Sequence, residues 1–474
     1  MPTRSTNWVW RPTGTLEAHG HLCILGRQTM SRSAKFCDGL ARRDFLRLGT
    51  ASVFGLGLTL PELLSRQARA AEAGKPTKDV SLIFLFLHGG LSTIDTWDLK
   101  PDAPVEFRGD FRPIDTNVPG VRIGEHLPRV ARQMDKIALL RSFRHHNSDH
   151  GAADHYMLTG YFPTAGFNPT LSPNNQRPAH GAVVARTLGA RGSVPPYVCL
   201  PKMHPSSGSA YLGPTAAPFV IDADPSAPDF AVPDLAPPPV VDATRLDARK
   251  ELLVRMDRFQ QSAEARSNHN AATVGVFQHK AFELMTSPDA KKAFDIHAEA
   301  DGLRDEYGRN TLGQSCLMAR RLVQAGVRCV TVDHSNWDTH FGNFATLKEQ
   351  LLPKLDAALS TLFRDLADRG MLDTTLVIAT GEFGRTPRVN KDAGRDHWGP
   401  AFTVALGGGG IKGGRVVGKS DARAEKPADD PCGPEDLAAT LYHLLGVDQE
   451  EEFYTPEGRP VKVVNNGRIL QALL

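Results

Sequence analysis

The sequence lacks the cysteine pattern of a disulfide-stabilised protein or a zinc finger. Its six cysteines are scattered along the chain and form no CxxC pair. Cys316 and Cys329 lie in apolar patterns that are typical of small buried side chains. A disulfide framework is therefore not expected.

The chain also lacks a charge excess and a long apolar run. Its 55 basic residues almost balance 53 acidic ones, which leaves a formal net charge of +2 and no basic stripe. A nucleic-acid partner is therefore not supported. No segment is apolar enough over sufficient length for a permanent membrane span. The 474 residues, 41% apolar and 23% charged, suit a globular protein with a sizeable core.

Two common catalytic motifs are missing as well. The four glycines at 407–410 are not followed by GKS or GKT, so they are not a phosphate-binding P-loop. No G-x-S-x-G is present, which excludes the nucleophile elbow of the α/β-hydrolases.

The N-terminal region has the order of a signal peptide. Arg42 and Arg43 precede Phe45-Leu46, then comes a mildly apolar stretch at 48–60 and the small-residue site Ala68-Arg69-Ala70. We predict a twin-arginine signal peptide at 41–73 and a periplasmic or otherwise exported, folded protein. Residues 1–40 are interpreted as a disordered leader or a mis-assigned start. The alternative for the Arg pair is a basic helix start on the mature domain.

The rest of the chain, 79–474, alternates apolar strands with helices. Strands are predicted at 80–87, 137–140, 197–200, 327–332, 373–380 and 402–406, and a strong amphipathic helix places leucines from Leu347 to Leu366 on one stripe. This order indicates a single α/β domain around a mainly parallel sheet that is covered on both sides. Residues 201–243 are rich in proline without a sustained period, which predicts a long surface excursion, either a lid or a linker.

Polar side chains cluster where the predicted strands end, which is where α/β sheets form their sites. His88 follows the first strand, Asp338 and His340 follow another, and Glu382 a third, while His397 lies in a later loop. Mixed oxygen and nitrogen ligands suit a divalent ion such as Zn²⁺, Mn²⁺ or Ca²⁺. The alternative is that Asp338 caps a helix and His340 packs as a neutral ring.

Two further features can carry chemistry. The stretch 145–155, HHNSDHGAADH, holds four histidines and two aspartates, and forms either a metal- or oxyanion-binding loop or a polar turn that leads into a helix. His145 and His150 are the candidate catalytic residues in it. Arg385 is the third candidate, because a guanidinium after a strand can clamp a phosphate or sulfate in a bidentate way. Its alternative role is an ion pair with a nearby carboxylate.

Six motifs, in this order, resemble the domain-of-unknown-function 1501 family of exported bacterial proteins: FLHGG at 86–90, TWD at 96–98, MLTG at 157–160, WDTH at 337–340, TGEFGRTP at 380–387 and GRDHW at 394–398. That family is similar to a distant branch of the alkaline-phosphatase and sulfatase superfamily. The resemblance implies a three-layer α/β/α fold with metal ligands at the carboxyl edge of the sheet. By this analogy Asp338, His340, Glu382 and His397 stand at metal-binding positions.

The sequence departs from that superfamily at the residues that matter most. His88 stands where the first strand normally ends in a ligating Asp, and His150 stands where a sulfatase carries its modified Cys or Ser. The usual covalent nucleophile is therefore missing. The hydroxyl group of Ser148 or of Thr159 could take the place of this nucleophile.

Two functional hypotheses follow. The first is an exported metal-dependent hydrolase of phosphate or sulfate esters, small or polymeric, in which a metal held by Asp338, His340 and His397 works with His145, His150 or Glu382 as acid or base. The second is a catalytically degenerate binding or scaffold protein on the same fold, acting with another exported protein. The sequence alone leaves both open.

Overall fold

A computed structural model describes residues 79–173, 176–232 and 286–474, together with Leu235, Glu251 and Leu284. The predicted leader and signal peptide lie outside these residues, as does the end of the proline-rich excursion. Across the described ranges, no helix combines the length and the apolar character that crossing a bilayer requires.

Eight strands form the central sheet: β1 Ser81–Phe86, β2 Ile137–Phe143, β3 Tyr197–Leu200, β4 Phe219–Val220, β5 Cys329–Asp333, β6 Thr375–Thr380, β7 Phe402–Gly407 and β8 Val416–Val417. Their spatial order is β8-β2-β7-β6-β1-β5-β3-β4. The six predicted strands are all present, because each is a continuous apolar run that the sheet buries on both faces.

The sheet is parallel except for β7. β1 pairs in parallel with β5 and β6, and β3 pairs in parallel with β5 and β4. β7 runs antiparallel to both of its neighbours, β6 and β2. The prediction of a mainly parallel sheet is confirmed. Because β7 is reversed, it begins at the edge where the other strands end.

Helices cover both faces of the sheet: α1 His150–Thr159, α2 His180–Leu188, α3 Thr311–Gln324, α4 Leu352–Asp368 and α5 Pro434–Leu445. Alternate residues of β1 point to opposite sides. Ile83 and Leu85 join a core with α3 and α4, whereas Leu82 and Phe84 join a core with α1, α2 and α5. The three-layer α/β/α prediction is confirmed by these two separate cores.

The predicted amphipathic helix is interrupted near its start. A helical turn at Asn343–Thr346 passes through a π-helical segment, Leu347–Leu351, before α4 begins. Pro353 in the first turn of α4 has no N–H to donate four residues back, so the backbone widens there. Leu347, Leu355 and Leu366 of the predicted stripe are nevertheless all buried.

Several short elements complete the fold. The short helices are Val105–Arg108, Pro128–Ala131, Pro288–Phe294 and Asp301–Tyr307. Four two-stranded ribbons lie outside the main sheet: Pro113–Asp115 with Arg122–Gly124, Gly384–Arg385 with His397–Trp398, Lys419–Ser420 with Pro427–Asp429, and Glu452–Tyr454 with Pro460–Lys462.

The described part of the proline-rich excursion is more buried than a surface segment would be. It forms three single-turn 3₁₀ helices, Pro205–Ser207, Ala210–Leu212 and Pro214–Ala216, and then adds β4 to the sheet edge. His204, Ser206 and Ser207 are buried. The excursion therefore brings side chains to the carboxyl edge of the sheet.

Candidate metal centre

The ends of three adjacent strands place the predicted site residues at one edge of the sheet. Phe86, the last residue of β1, is in register with Asp333 of β5 and Thr380 of β6. The loops that follow carry His88, Asp338 and Glu382. The reversed β7 starts level with the end of β2, at Phe402 opposite Phe143, so the loop before it brings His397 to the same edge.

Three ligand atoms from two loops converge at this edge. Asp338 Oδ1 lies 3.0 Å from His340 Nε2 and 3.1 Å from His397 Nε2. The two Nε2 atoms are 2.9 Å apart. Asp338, His340 and His397, three of the five predicted metal ligands, are therefore in mutual contact.

The opposite side of each imidazole ring shows which nitrogen carries the proton. His340 Nδ1 lies 2.7 Å from Asp396 Oδ1, and His397 Nδ1 lies 2.9 Å from the carbonyl oxygen of Ser148. Both partners only accept, so each Nδ1–H donates, and the neutral form of either ring would then have its lone pair on Nε2. This is the second-layer arrangement that orients histidines towards metals.

The donor set fits a divalent ion. Two Nε2 lone pairs and a carboxylate oxygen at about 3 Å repel one another unless a cation lies among them. An octahedral ion with ligands at about 2.1 Å has edges of about 3.0 Å, which is the spacing of these three atoms. Asp338, His340 and His397 are thus arranged as one face of a coordination shell.

Arg385 holds Asp338 in its ionised form. Burial raises the pKa of Asp338, but the Arg385 hydrogen bond and charge, with the His397 contact, outweigh burial and lower it to about 2. Arg385 Nη2 donates to Asp338 Oδ1 at 2.6 Å. Its other donors reach the carbonyls of Gly89, Gly90, Trp337 and Arg395. The guanidinium is buried and pairs with a carboxylate, as the second of its two sequence interpretations describes.

Glu382 lies behind the three ligands and is saturated with hydrogen bonds. Its carboxylate, 0% exposed, accepts the N–H of Gly89 at 2.9 Å and of Gly90 at 3.1 Å. It also lies 2.5 Å from His150 Nδ1. Glu382 therefore acts as an anchor in this structure, and its contacts fix the His150 ring.

His150 stands beside the three ligands and turns one ring nitrogen towards them. Its Nε2 lies 3.4 Å from Asp338 Oδ2, and its ring centroid is 4.3 Å from that of His397. Burial lowers the pKa of His150, but the hydrogen bond and charge of Glu382 outweigh burial and raise it. Because Nδ1 faces Glu382, Nε2 faces the ligand cluster.

His145 has no free ring nitrogen. Its Nδ1 accepts the N–H of Asn147 at 3.2 Å, and its Nε2 lies 2.6 Å from the backbone oxygen of Glu382. Burial lowers the pKa of this ring to about 4, so the ring stays neutral. The stretch 145–155 crosses from loop into α1, whose N-cap is Asp149. It is therefore both a polar turn and part of the site.

His88 is separated from the three ligands. Its Nε2 lies 3.5 Å from Asp154 Oδ2, and its ring centroid lies 5.8 Å from that of His150. Ligand atoms of His88, His150, Asp154 and Glu382 lie within 4.8 Å of one another, as do those of His150, Asp338 and His397. His150 belongs to both groups.

Sequence reasoning did not single out three of the side chains in this region. Asp396 is next to His397 in the sequence, and Asp154 lies within the histidine-rich stretch, so both had a local signal. His204 had none, because it lies in a proline-rich segment without periodicity.

Solved structures with some likeness to this chain include three bacterial proteins. The lipoteichoic acid synthase LtaP from Listeria monocytogenes is 10% identical, with 82% of this chain and 75% of that chain covered and a TM-score of 0.34. The PsFucS1 sulfatase from Pseudoalteromonas sp. is 14% identical, with 83% of this chain and 73% of that chain covered and a TM-score of 0.34. The phosphonate monoester hydrolase SpPMH from Silicibacter pomeroyi is 14% identical, with 83% of this chain and 76% of that chain covered and a TM-score of 0.33. Such low identities and TM-scores do not assign an activity to this chain.

Sequence comparison gives a firmer result for the family. No curated protein matches the chain. A family model described as "Protein of unknown function (DUF1501)" matches residues 79–474, which is the whole predicted domain and all six motifs. The chain is a member of the DUF1501 family.

Proposed function

We propose that this protein is a metal-dependent hydrolase of phosphate or sulfate esters. The observation that carries the proposal is the convergence of His340 Nε2, His397 Nε2 and Asp338 Oδ1 within 2.9–3.1 Å. Each imidazole is held in the tautomer that ligates through Nε2. The ester class comes from the similarity of the DUF1501 family, which the six motifs indicate, to the phosphatase and sulfatase superfamily.

The residues around these ligands would have different roles in the reaction. A bound divalent ion would supply Lewis acidity and lower the pKa of a coordinated water. Arg385 keeps Asp338 ionised, and Asp396 and the Ser148 carbonyl keep the two rings oriented. His150 lies beside the ligands and its Nε2 is not bonded to the backbone, so it is the candidate acid or base for the leaving group.

The hydroxyl groups near the site favour attack by water. The Thr159 hydroxyl is buried and donates to the carbonyl of His155 at 2.6 Å. The Ser148 hydroxyl accepts the N–H of Gly399 at 3.1 Å. Neither hydroxyl bonds to a side-chain base, which an activated nucleophile requires. A direct displacement by water suits this arrangement better than a covalent intermediate.

A binding or scaffold protein is the second candidate. Two observations favour it: the Arg385 side chain is fully buried and bonds to backbone carbonyls and Asp338, and both ring nitrogens of His145 are bonded to the backbone. Export by the twin-arginine route is part of both proposals. It places an ester substrate, or an exported protein partner, outside the cytoplasm.

Metal content followed by an ester screen tests the proposal. Full-length wild-type protein and the Asp338→Ala/His340→Ala variant are purified without chelator, and bound metals are measured by mass spectrometry. We expect the wild type to hold metal that the variant loses, and to hydrolyse p-nitrophenyl phosphate or p-nitrophenyl sulfate. Metal binding without hydrolysis of either ester would favour the binding protein. A folded wild type without metal would overturn the metal centre itself.

A further inference from the structure

Arg395 of the GRDHW motif lies outside the candidate metal centre, in a buried ion pair. Its side chain is fully buried, and its partner Asp95 is 1% exposed. Arg395 Nε donates to Asp95 Oδ2 at 2.8 Å, and Nη2 donates to Oδ1 at 2.9 Å. The remaining N–H groups reach the backbone carbonyls of Phe107, Thr386 and Pro387. All five donors of the guanidinium are therefore bonded.

A buried pair of this kind fixes geometry more than it stabilises the fold. The free energy of removing both charges from water largely offsets their attraction, so the net contribution to folding is small. The bidentate form nevertheless sets the relative position of the two chain segments that it joins. Asp95 lies in the loop after β1, and Arg395 lies in the loop before β7. The pair therefore holds these two loops against each other.

A third loop joins the pair through Asn343. Asn343 Nδ2 donates to Asp95 Oδ2 at 2.9 Å, and its Oδ1 accepts the hydroxyl of Thr339 at 2.6 Å. The backbone N–H of Arg395 donates to the carbonyl of Thr339 at 3.1 Å. Thr339 is thus bonded to the network through both its side chain and its backbone.

Thr339 lies between two of the candidate metal ligands. It is 3% exposed, whereas the side chains of Asp338 and His340 on either side of it are 43% and 32% exposed. The threonine therefore points into the protein while its two neighbours face the site. Arg395 precedes the third ligand, His397, by two residues. The network connects both ligand-bearing segments to one buried base.

We propose that Asp95 and Arg395 are positioning residues, which hold the ligand segment 338–340 at the distance from His397 that a shared divalent ion requires. This inference rests on the proposed metal centre. The side chains of the network bond to one another and to backbone carbonyls, so they act on the ligands only through the chain. A binding site is preorganised when such supporting residues fix its ligands before the ion arrives. Loss of the network should therefore appear as weaker metal binding.

Metal affinity tests the inference with a readout other than hydrolysis. The dissociation constants of full-length wild type, Asp95→Asn and Thr339→Val for Zn²⁺ are measured by competition with a chelating dye. We expect Asp95→Asn, which leaves Arg395 without its charge partner, to raise the constant about 10-fold or more. Thr339→Val removes one hydrogen bond of the network and should raise it about threefold. Because Thr339→Val is the milder change, it gives an answer even if Asp95→Asn does not fold.

Another buried ion pair supplies the matched control. Arg320 Nε of α3 lies 2.8 Å from Asp365 Oδ2 of α4, and both side chains are buried. Asp365→Asn should lower the free energy of unfolding, as Asp95→Asn does, but leave the Zn²⁺ constant unchanged. An equal rise of the constant in Asp365→Asn would trace the effect to general loss of stability and overturn the positioning role.

The wild type separates this inference from the proposed function. A wild type that binds Zn²⁺, with a constant that neither Asp95→Asn nor Thr339→Val changes, would overturn the positioning role alone. A folded wild type that binds no Zn²⁺ would overturn the metal centre, and the positioning role with it.

Discussion

Asp338 is the residue on which the candidate site depends most directly. One of its oxygens contacts Arg385, His340 and His397, and the other faces His150. The Asp338 carboxylate therefore balances the positive charge of Arg385 on one side and of a protonated His150 on the other. The side chains behind it, among them Asp396 and Glu382, determine whether the ligand nitrogens point inwards.

Asp396→Asn should weaken metal binding without unfolding the protein. The change removes the carboxylate that accepts the His340 Nδ1 proton, and losing such a second-layer partner typically costs about 10- to 100-fold in metal affinity. Competition with a chelating dye measures the loss. Asp392→Asn is the matched control in the same loop, because Asp392 is exposed and its side chain pairs with Lys391. Equal affinities of the two variants would contradict the role of Asp396.

Gly89→Ala should distort the site through the backbone. Gly89 has a φ of +112°, and an added Cβ would lie 2.6 Å from the backbone nitrogen of Asp338. Gly120 has a φ of +82°, and no atom lies within 4 Å of a Cβ added there. The Gly120→Ala substitution therefore measures only the cost of a left-handed backbone, about 1 kcal/mol. We expect Gly89→Ala to lower the free energy of urea unfolding by more than Gly120→Ala does, and to lose metal. Retention of metal in Gly89→Ala would contradict this.

At the scale of elements, the apolar strands could be predicted from sequence and the site only in part. β1, β5 and β6 are apolar runs whose ends face one edge in any parallel sheet, so Asp338 and Glu382 could be placed there. The reversal of β7 has no signature in its sequence, yet it is what brings His397 to Asp338. The hydrogen bonds from Gly89 and Gly90 to the Glu382 carboxylate could not be predicted either, because these residues lie 293 and 292 positions from Glu382 in the sequence.

The packing of α1, α2 and α5 should make stability depend on pH. His180 begins α2, and its Nδ1 and Nε2 contact the Tyr442 hydroxyl and the Met157 carbonyl. Burial lowers the pKa of His180 to about 4. The unfolded chain, with a histidine pKa of about 6.5, therefore binds the proton first. Stability should fall as the pH decreases from about 6.5 to 4, by about 3 kcal/mol in full.

Urea unfolding at several pH values measures this contribution. His180→Gln should be less stable than the wild type at pH 7 but show a flatter decline down to pH 4. His146 is exposed, and His146→Gln should keep the wild-type slope. Identical slopes for the wild type and His180→Gln would show that this histidine is not the source.

At the scale of the whole molecule, the candidate site lies at the rim of the sheet and outside both hydrophobic cores. Leu82 and Ile83 of β1 belong to opposite cores, whereas the ligands follow the strands in loops. The fold and the site are thus stabilised by different interactions. Burial of apolar surface stabilises the layers, and the proposed ion would stabilise the loops.

Removal of the proposed ion should therefore lower the melting temperature while the sheet and its helices stay folded. An ion present at 100 times its dissociation constant contributes about 2.7 kcal/mol to the free energy of unfolding. Chelation with EDTA should remove this amount while the far-ultraviolet circular dichroism of the folded state stays unchanged. The Asp338→Ala/His340→Ala variant is the control, and its melting temperature should not respond to EDTA.

The two tryptophans next to the candidate metal ligands Asp338 and His397 would give the site an optical property. Trp337, fully buried, precedes Asp338 and donates its indole N–H to His334, and Trp398 follows His397. A paramagnetic ion such as Mn²⁺ held by these neighbours would quench their fluorescence, whereas Zn²⁺, with a filled d shell, would leave the emission bright. The intensity of ultraviolet-excited emission would then report which ion the protein carries, without any label.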